Sequence, residues 1–309
     1  MFSDRNQARA FALLGLVMLF WAGNSIIARA VRLDVPPFTL AFVRWSGALV
    51  LLAPFAARPL MADLPKLRAG WKAVLLLGLT GIGAFNALLY SGLQYTTATN
   101  ALLLQAAIPA LVVILDRLLF GVRSTAWQVA GTLASIAGVL VIVFEGSLEA
   151  ARNLHLGPGD LLVLASVVVW AFYTIFLRLR PAVAPVSFIA ATFAIGVITM
   201  APLAGWEWLS GQSVRWSWKV AGAFAYVAVL PSLVSYFIYN SAAQSVGPAR
   251  AGQAITMMPV FGALLSTLLL GEALHLYHAA GIALICVGIG LGALALARES
   301  RVVKASAPR

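Results

Sequence analysis

The chain has 309 residues, of which 62% are hydrophobic and 10% charged, and its formal net charge is +11. A soluble domain carries about 45–50% apolar and about 25% charged residues, so this chain has too little polar surface to fold in water and belongs in a membrane. In a soluble chain the positive balance would suggest nucleic acid; here the question is which loops hold the Lys and Arg.

Apolar runs long enough to cross ~30 Å of hydrocarbon as helices lie between clusters of charge, Pro and Gly. They fall at 11–31, 36–54, 71–93, 99–118, 125–145, 160–180, 184–204, 218–241, 250–270 and 276–297. The expected fold is an all-α integral membrane protein with ten transmembrane helices and connections too short for a soluble domain. With the N-terminus in the cytoplasm, 15 of the 21 Lys and Arg fall on inner segments, Arg58, Lys66, Arg68 and Lys72 among them. Only Arg29, Arg32, Arg152, Arg215 and Lys219 fall outside, so both termini are expected in the cytoplasm. Arg5 and Arg9 before the first run, with Ala-x-Ala at 28–30, resemble a secretory signal. A copy of the same stretch in mid-chain argues that this first helix is retained. Cys286 is the single cysteine, which excludes an internal disulfide, and it reads as an inert packing residue.

In the first span Trp21, Asn24 and Ser25 stand at i, i+3 and i+4, one helix face. The second holds Arg44, about 8 residues from Pro36 and ~12 Å along the helix, the only charge deep in a span. A charge at that depth marks a pathway or a bound anion, such as an amino acid's carboxylate, unless it snorkels outward or pairs with Asp34. The third span carries Gly81, Gly83, Asn86 and Tyr90, and the fourth Gln105 and Pro109. The sixth repeats the stripe of the first as Trp170, Tyr173 and Thr174. The eighth has Pro231, Ser232, Ser235, Tyr236 and Tyr239, and the ninth Gln253, Met257 and Pro259. These faces are expected to line a central cavity; the alternative is that the polar groups are interhelical glue worth roughly 0.6 kcal/mol each. Spans five and ten show only Gly131, Gly138, Gly281 and Gly288 among small residues, which scaffold each half or contact another protomer.

Sliding the sequence on itself by 149–150 residues aligns these features. Trp21, Ala22, Ser25, Ile26 and Arg29 meet Trp170, Ala171, Thr174, Ile175 and Arg178; Pro109 meets Pro259; LLFG at 118–121 meets LLLG at 268–271. Residues 1–150 and 151–309 are therefore expected to be two copies of a five-helix unit. Because five is odd, the copies are inverted in the membrane, an arrangement found in many secondary transporters with midplane substrate sites. Pro109 and Pro259, placed inside their helices, and Pro231, opposite Gly81 and Gly83, read either as static kinks or as hinges that open and close the ends. Arg29 and Arg178 end their helices at opposite faces, as anchors would.

The stretches GLQYTTATNALLLQAAIPALVVILDRLLFG and AAQSVGPARAGQAITMMPVFGALLSTLLLGE, the second ending at Glu272, resemble the helix 3–4 and 8–9 hairpins of the EamA-type drug/metabolite transporter superfamily. The first copy departs from it, with Val122 where the second has Glu272. The resemblance, closest to the bacterial amino-acid exporters, implies a multi-pass protein of the bacterial cytoplasmic membrane. It implies export of aromatic and other neutral amino acids, and of flat cations such as methyl viologen, by alternating access. The partners expected are a small-molecule substrate and the lipid bilayer, with no nucleic acid, cofactor or metal.

Asp116, Glu145, Asp160, Glu207 and Glu272 all fall near helix ends. With no deep carboxylate to titrate, facilitated diffusion or exchange is expected rather than proton coupling. An intramembrane enzyme would need a nucleophile with a base, or metal ligands, and no His-Glu-x-x-His or Gly-x-Ser-x-Gly is present. His275 and His278 lack a third ligand in sequence. A channel would show a ring of like charges or a carbonyl filter, and a nucleotide-sugar or sugar-phosphate exchanger several cavity cations where only Arg44 is available. Trp206, Trp208, Trp216 and Trp218 read as an interfacial belt.

Overall fold

The computed structural model describes residues 4–121, 125–149, 157–239, 257–288 and 290–291, and these contain helices and turns but no strand. Eight helices are long and apolar enough to cross a membrane: α1 (Asp4–Ala30, apolar from Ala12), α2 (Pro37–Ala69), α3 (Trp71–Tyr95), α4 (Ala98–Phe120), α5 (Ala126–Val143), α6 (Pro158–Leu179), α7 (Pro185–Leu209) and α8 (Trp218–Tyr239). Two shorter apolar helices follow, α9 (Met258–Leu270) and α10 (Leu276–Gly288).

Local chemistry sets their ends. Pro37, Pro158 and Pro185 occupy first turns, where a missing N–H leaves no bond unmade. Thr97, Thr125 and Ser217 accept backbone N–H groups at the starts of α4, α5 and α8, which the helix itself leaves without partners. α4 and α9 stop on Gly121 and Gly271, at φ 65° and 66°, a left-handed geometry that disfavours a Cβ.

α2 differs from expectation: it runs for 33 residues, ~50 Å, where the sequence suggested an end at Pro54. Pro54, Pro59 and Pro65 all lie inside it. Each removes one donor from the ladder, which a helix held elsewhere tolerates. The Asp63 carboxylate accepts the Ala184 N–H at 2.9 Å, fastening this extension to the start of α7.

Pro109 and Pro259 also differ. α4 is two segments, Ala98–Gln105 and Ile108–Phe120, joined by a turn at Ala106–Ala107. Pro109 opens the second segment, and Pro259 is likewise the second residue of α9. Neither kinks a continuous helix, because its absent N–H falls where a helix start has free donors anyway. The other irregularities are wide π turns at Gly78–Ala84 in α3, Val229–Val234 in α8 and Ser266–Leu270 in α9.

At one end of the bundle, two helix starts are clamped by acids from other helices. Glu207 of α7 accepts Phe38 N–H at 2.9 Å, Thr39 N–H at 2.7 Å and the Thr39 hydroxyl at 2.8 Å. Glu272, just past α9, accepts Ala98 N–H and Thr99 N–H at 2.9 Å and the Thr99 hydroxyl at 2.8 Å. A carboxylate suits the positive end of a helix dipole. At the same end Arg29 Nη1 donates to the Leu93 and Gln94 carbonyls at 2.8 and 3.1 Å, closing α3. Arg178 pairs with Asp116 at the opposite end.

The glycines of α5 and α10 bring these two helices together. A Cβ on Gly138 would lie 2.7 Å from the Gly281 carbonyl oxygen, and one on Gly288 would lie 2.4 Å from that of Gly131. Only residues without side chains permit such an approach. Cys286, on α10, is exposed rather than packed. His278 is engaged through both ring nitrogens, with Asn100 Oδ1 at 2.9 Å and the His275 N–H at 3.1 Å. Among the described residues no three His, Cys, Asp or Glu could hold a metal ion.

Candidate functional site

One cavity is lined by Trp21, Asn24 and Ser25 from α1, Arg44 and Trp45 from α2, and Asn86 with Gly81, Phe85 and Leu89 from α3. The wall continues with Leu102, Gln105, Ala106 and Ile108 of α4, Trp170 of α6, Tyr236 of α8, and Met258 and Pro259 of α9. Among the described residues no His, Cys, Asp or Glu lines it.

Arg44 is 5% exposed and does not snorkel. Its Nε donates to Ser232 Oγ at 2.8 Å, and its Nη1 to Asn24 Oδ1, Asn86 Oδ1 and Tyr90 Oη at 3.1, 2.9 and 2.9 Å. The Tyr90 hydroxyl in turn donates to Asn24 Oδ1 at 2.7 Å. One guanidinium thus joins α1, α2, α3 and α8. Among the described residues no carboxylate lies within ion-pair distance of it, and Nη2 makes no hydrogen bond. A charge so buried costs several kcal/mol; neutral oxygens hold it with charge-assisted bonds worth roughly 1.5–3 kcal/mol each.

Aromatic rings form the opposing walls. The Trp21 ring packs against Tyr236 and Tyr239 at 6.3 and 5.5 Å, and its Nε1–H donates to the Pro231 carbonyl at 3.0 Å. Trp170 packs against Phe85 at 4.5 Å and Tyr173 at 5.0 Å. Trp45 packs against Phe193 at 4.7 Å with the rings tilted by 50°, and its buried Nε1–H has no acceptor among the described residues.

Of the residues singled out in the sequence, Trp21, Asn24, Ser25, Arg44, Asn86, Gln105, Trp170 and Tyr236 meet at this cavity. Tyr90 stands behind it with its hydroxyl bonded to the Arg44 cluster. Tyr173 and Tyr239 back the two tryptophans, the former lying on Gly81, where a Cβ would come within 2.4 Å of its ring. The Thr174 hydroxyl donates to the Trp170 carbonyl at 2.8 Å, within its own helix. Met257 precedes α9 and is exposed, and Met258 lines the cavity instead. Gln253 lies outside the described residues. Gly81, Gly83 and Pro231 fall in π turns, and Pro109 and Pro259 at helix starts.

Sequence reasoning missed Trp45 and the apolar wall of Phe85, Leu89, Leu102 and Ile108, because polar stripes were the signal it followed. Trp45 and Phe85 each adjoin a polar residue already singled out, Arg44 and Asn86, and that adjacency could have found them.

The EamA-like transporter family model matches the chain twice, over residues 9–144 and 157–293. A transporter of Archaeoglobus fulgidus is 28% identical over 294 residues, 92% of this chain and 97% of its own length. The transporter YyaM of Bacillus subtilis is 27% identical, covering 72% of this chain and 73% of its own, and the inner membrane transporter YedA of Escherichia coli is 26% identical over 85% and 84%. A crystal structure with 22% identity superposes with a TM-score of 0.61 over 94% of this chain and 98% of that one, sharing the fold. The double match along nearly the whole length makes the chain a member of the EamA-like transporter family, a multi-pass membrane transporter.

Proposed function

We propose that the protein is a facilitative carrier that exports small amphiphilic metabolites, aromatic and other neutral amino acids foremost, from the cytoplasm of a bacterial cell. Its two halves, residues 1–150 and 151–309, act as inverted five-helix repeats that open the cavity alternately to either side. The observation that carries this reading is the cavity itself, where aromatic walls flank a buried guanidinium held, among the described residues, by neutral groups. An amino acid's carboxylate suits Arg44, and its side chain suits Trp21, Trp170 and Tyr236. Supporting the repeats, π turns occur at Gly78–Ala84 and Val229–Val234, positions related by the same offset of about 150 residues that aligns the sequence. Gly81, Gly83, Pro109, Pro231 and Pro259 sit at breaks in helical geometry, where a bend needs the least rearrangement.

Transport into proteoliposomes holding the purified protein tests this, with phenylalanine, tryptophan, threonine and methyl viologen compared with and without a pH gradient. Saturable amino-acid flux that ignores the gradient is expected. Flux of none of them, or flux that never saturates, overturns the reading. Replacement of Trp21, Asn86 and Tyr236 should each slow the flux; unchanged flux in all three would remove the cavity from the mechanism.

A further inference from the structure

The charge pattern of the cavity says more about its ligand than the family does. We propose that, given the carrier reading above, an aromatic monocarboxylate without an ammonium group binds in this cavity more tightly than the amino acids the carrier also moves, its carboxylate received by Arg44 and the Trp45 N–H.

The argument counts donors and acceptors. On the guanidinium, Nε and Nη1 are engaged by Ser232, Asn24, Asn86 and Tyr90, and Nη2 is left without a partner among the described residues. Trp45, the next residue and also part of the lining, has a buried N–H with no acceptor. The Arg44 guanidinium carbon lies over the Trp45 ring, 4.3 Å from its centroid, so the two unused donors are near enough to serve the two oxygens of one carboxylate. The acceptors that hold the guanidinium are already taken, and the others in the described lining, Ser25 Oγ and Gln105 Oε1, carry no charge. Asn24 Oδ1 receives both Arg44 and Tyr90, and Asn86 Oδ1 receives Arg44. Ser232 Oγ receives Arg44 while donating to the Val227 carbonyl.

An ammonium in this space would meet a full positive charge in a poorly solvated cavity, with no Asp or Glu among the described lining residues to balance it. Ring faces attract cations, but a quadrupole is weaker than the repulsion between two whole charges at short range. A substrate with one negative charge neutralises Arg44; a zwitterion does so while bringing a new cation, and an amine only adds charge. The aromatic walls accept a flat uncharged body in each case.

Three solutes sharing one phenethyl body separate these possibilities: 3-phenylpropionate, phenylalanine and phenethylamine, titrated calorimetrically at neutral pH against the purified full-length protein. The acid should bind roughly tenfold or more tightly than the zwitterion, the scale on which charge complementarity discriminates in desolvated sites, and the amine should show no saturable binding. Arg44→Gln should erase the preference for the acid. Because that variant can fail to fold, Asn24→Asp provides a second test: its carboxylate would stand where Asn24 Oδ1 is now, 3.1 Å from Arg44 Nη1. It should abolish binding of the acid and admit the amine. Amine binding equal to that of the acid, binding of none of the three, or an acid preference that survives in Asn24→Asp overturns the proposal. Saturable phenylalanine flux in liposomes alongside any of those results leaves the carrier reading standing. Binding of the acid without flux of any solute overturns that reading instead.

Discussion

The Trp21 indole N–H donates to the carbonyl of Pro231 at 3.0 Å, so one wall of the cavity is hydrogen-bonded to the wide turn of α8. Trp21→Phe keeps an aromatic, though smaller, ring and loses this bond, leaving a carbonyl without its partner. The expected cost is about 1 kcal/mol, read as a fall in thermal midpoint, together with slower transport. Pro231→Ala should restore part of the rate if the turn, rather than the ring, limits it.

Glu207 and Glu272 hold the starts of α2 and α4 with the same three-bond geometry, yet Glu207 is buried and Glu272 partly exposed. Each Glu→Gln exchange places an amide where an acceptor faces N–H groups. Glu207→Gln is expected to cost about 2 kcal/mol, because a buried donor is left unpaired, and Glu272→Gln less, because water can replace the lost oxygen. Thermal unfolding in detergent measures both; a larger loss at Glu272 contradicts the ordering.

Gly138 has the Gly281 carbonyl at 2.7 Å from where a Cβ would stand, whereas Gly222 has nothing within 4 Å. Gly138→Val should force α5 from α10 and lower stability by roughly 1–3 kcal/mol. Gly222→Ala should be neutral or slightly stabilising. Equal effects in the two variants would show that the helix contact does not form.

Cys286 is exposed on α10 and bonds to nothing in the described residues, so Cys286→Ala should change stability by no more than about 0.5 kcal/mol. In that background, single cysteines at Leu33 and Arg117, both exposed at opposite ends of the bundle, test the orientation expected from the distribution of Lys and Arg. An impermeant maleimide applied to intact cells should label the first and spare the second; the reverse pattern inverts the topology.

Eight of the expected spans and the depth of Arg44 were legible because hydrocarbon length and charge cost act on any sequence in the same way. The helix ends at Pro37, Pro158, Thr125 and Gly121 rest on local chemistry alone. The length of α2 was not legible: Pro54 looks like a stop, and what carries the helix past it is a contact from Asp63 to Ala184, 121 residues away. Nor were the tasks of Glu207 and Glu272, which depend on Thr39 and Thr99, each more than 160 residues distant in sequence. Polar stripes found the amides and tryptophans of the cavity. Its apolar wall looks like any lipid-facing surface in the sequence, and only the fold brings Phe85 and Leu102 to the same cavity as Arg44.

The π turn at Val229–Val234 holds more residues than an α turn of the same rise. Were it to tighten to the ordinary helical register, each residue taken up would rotate everything beyond it by about 100° about the axis. Tyr236 lies just past that turn and would swing out from beside Trp21, while another residue of α8 took its place. The composition of the cavity is therefore tied to the winding of one short stretch of backbone, and a screw-like motion of α8 would exchange the groups facing a solute without displacing the helix as a whole.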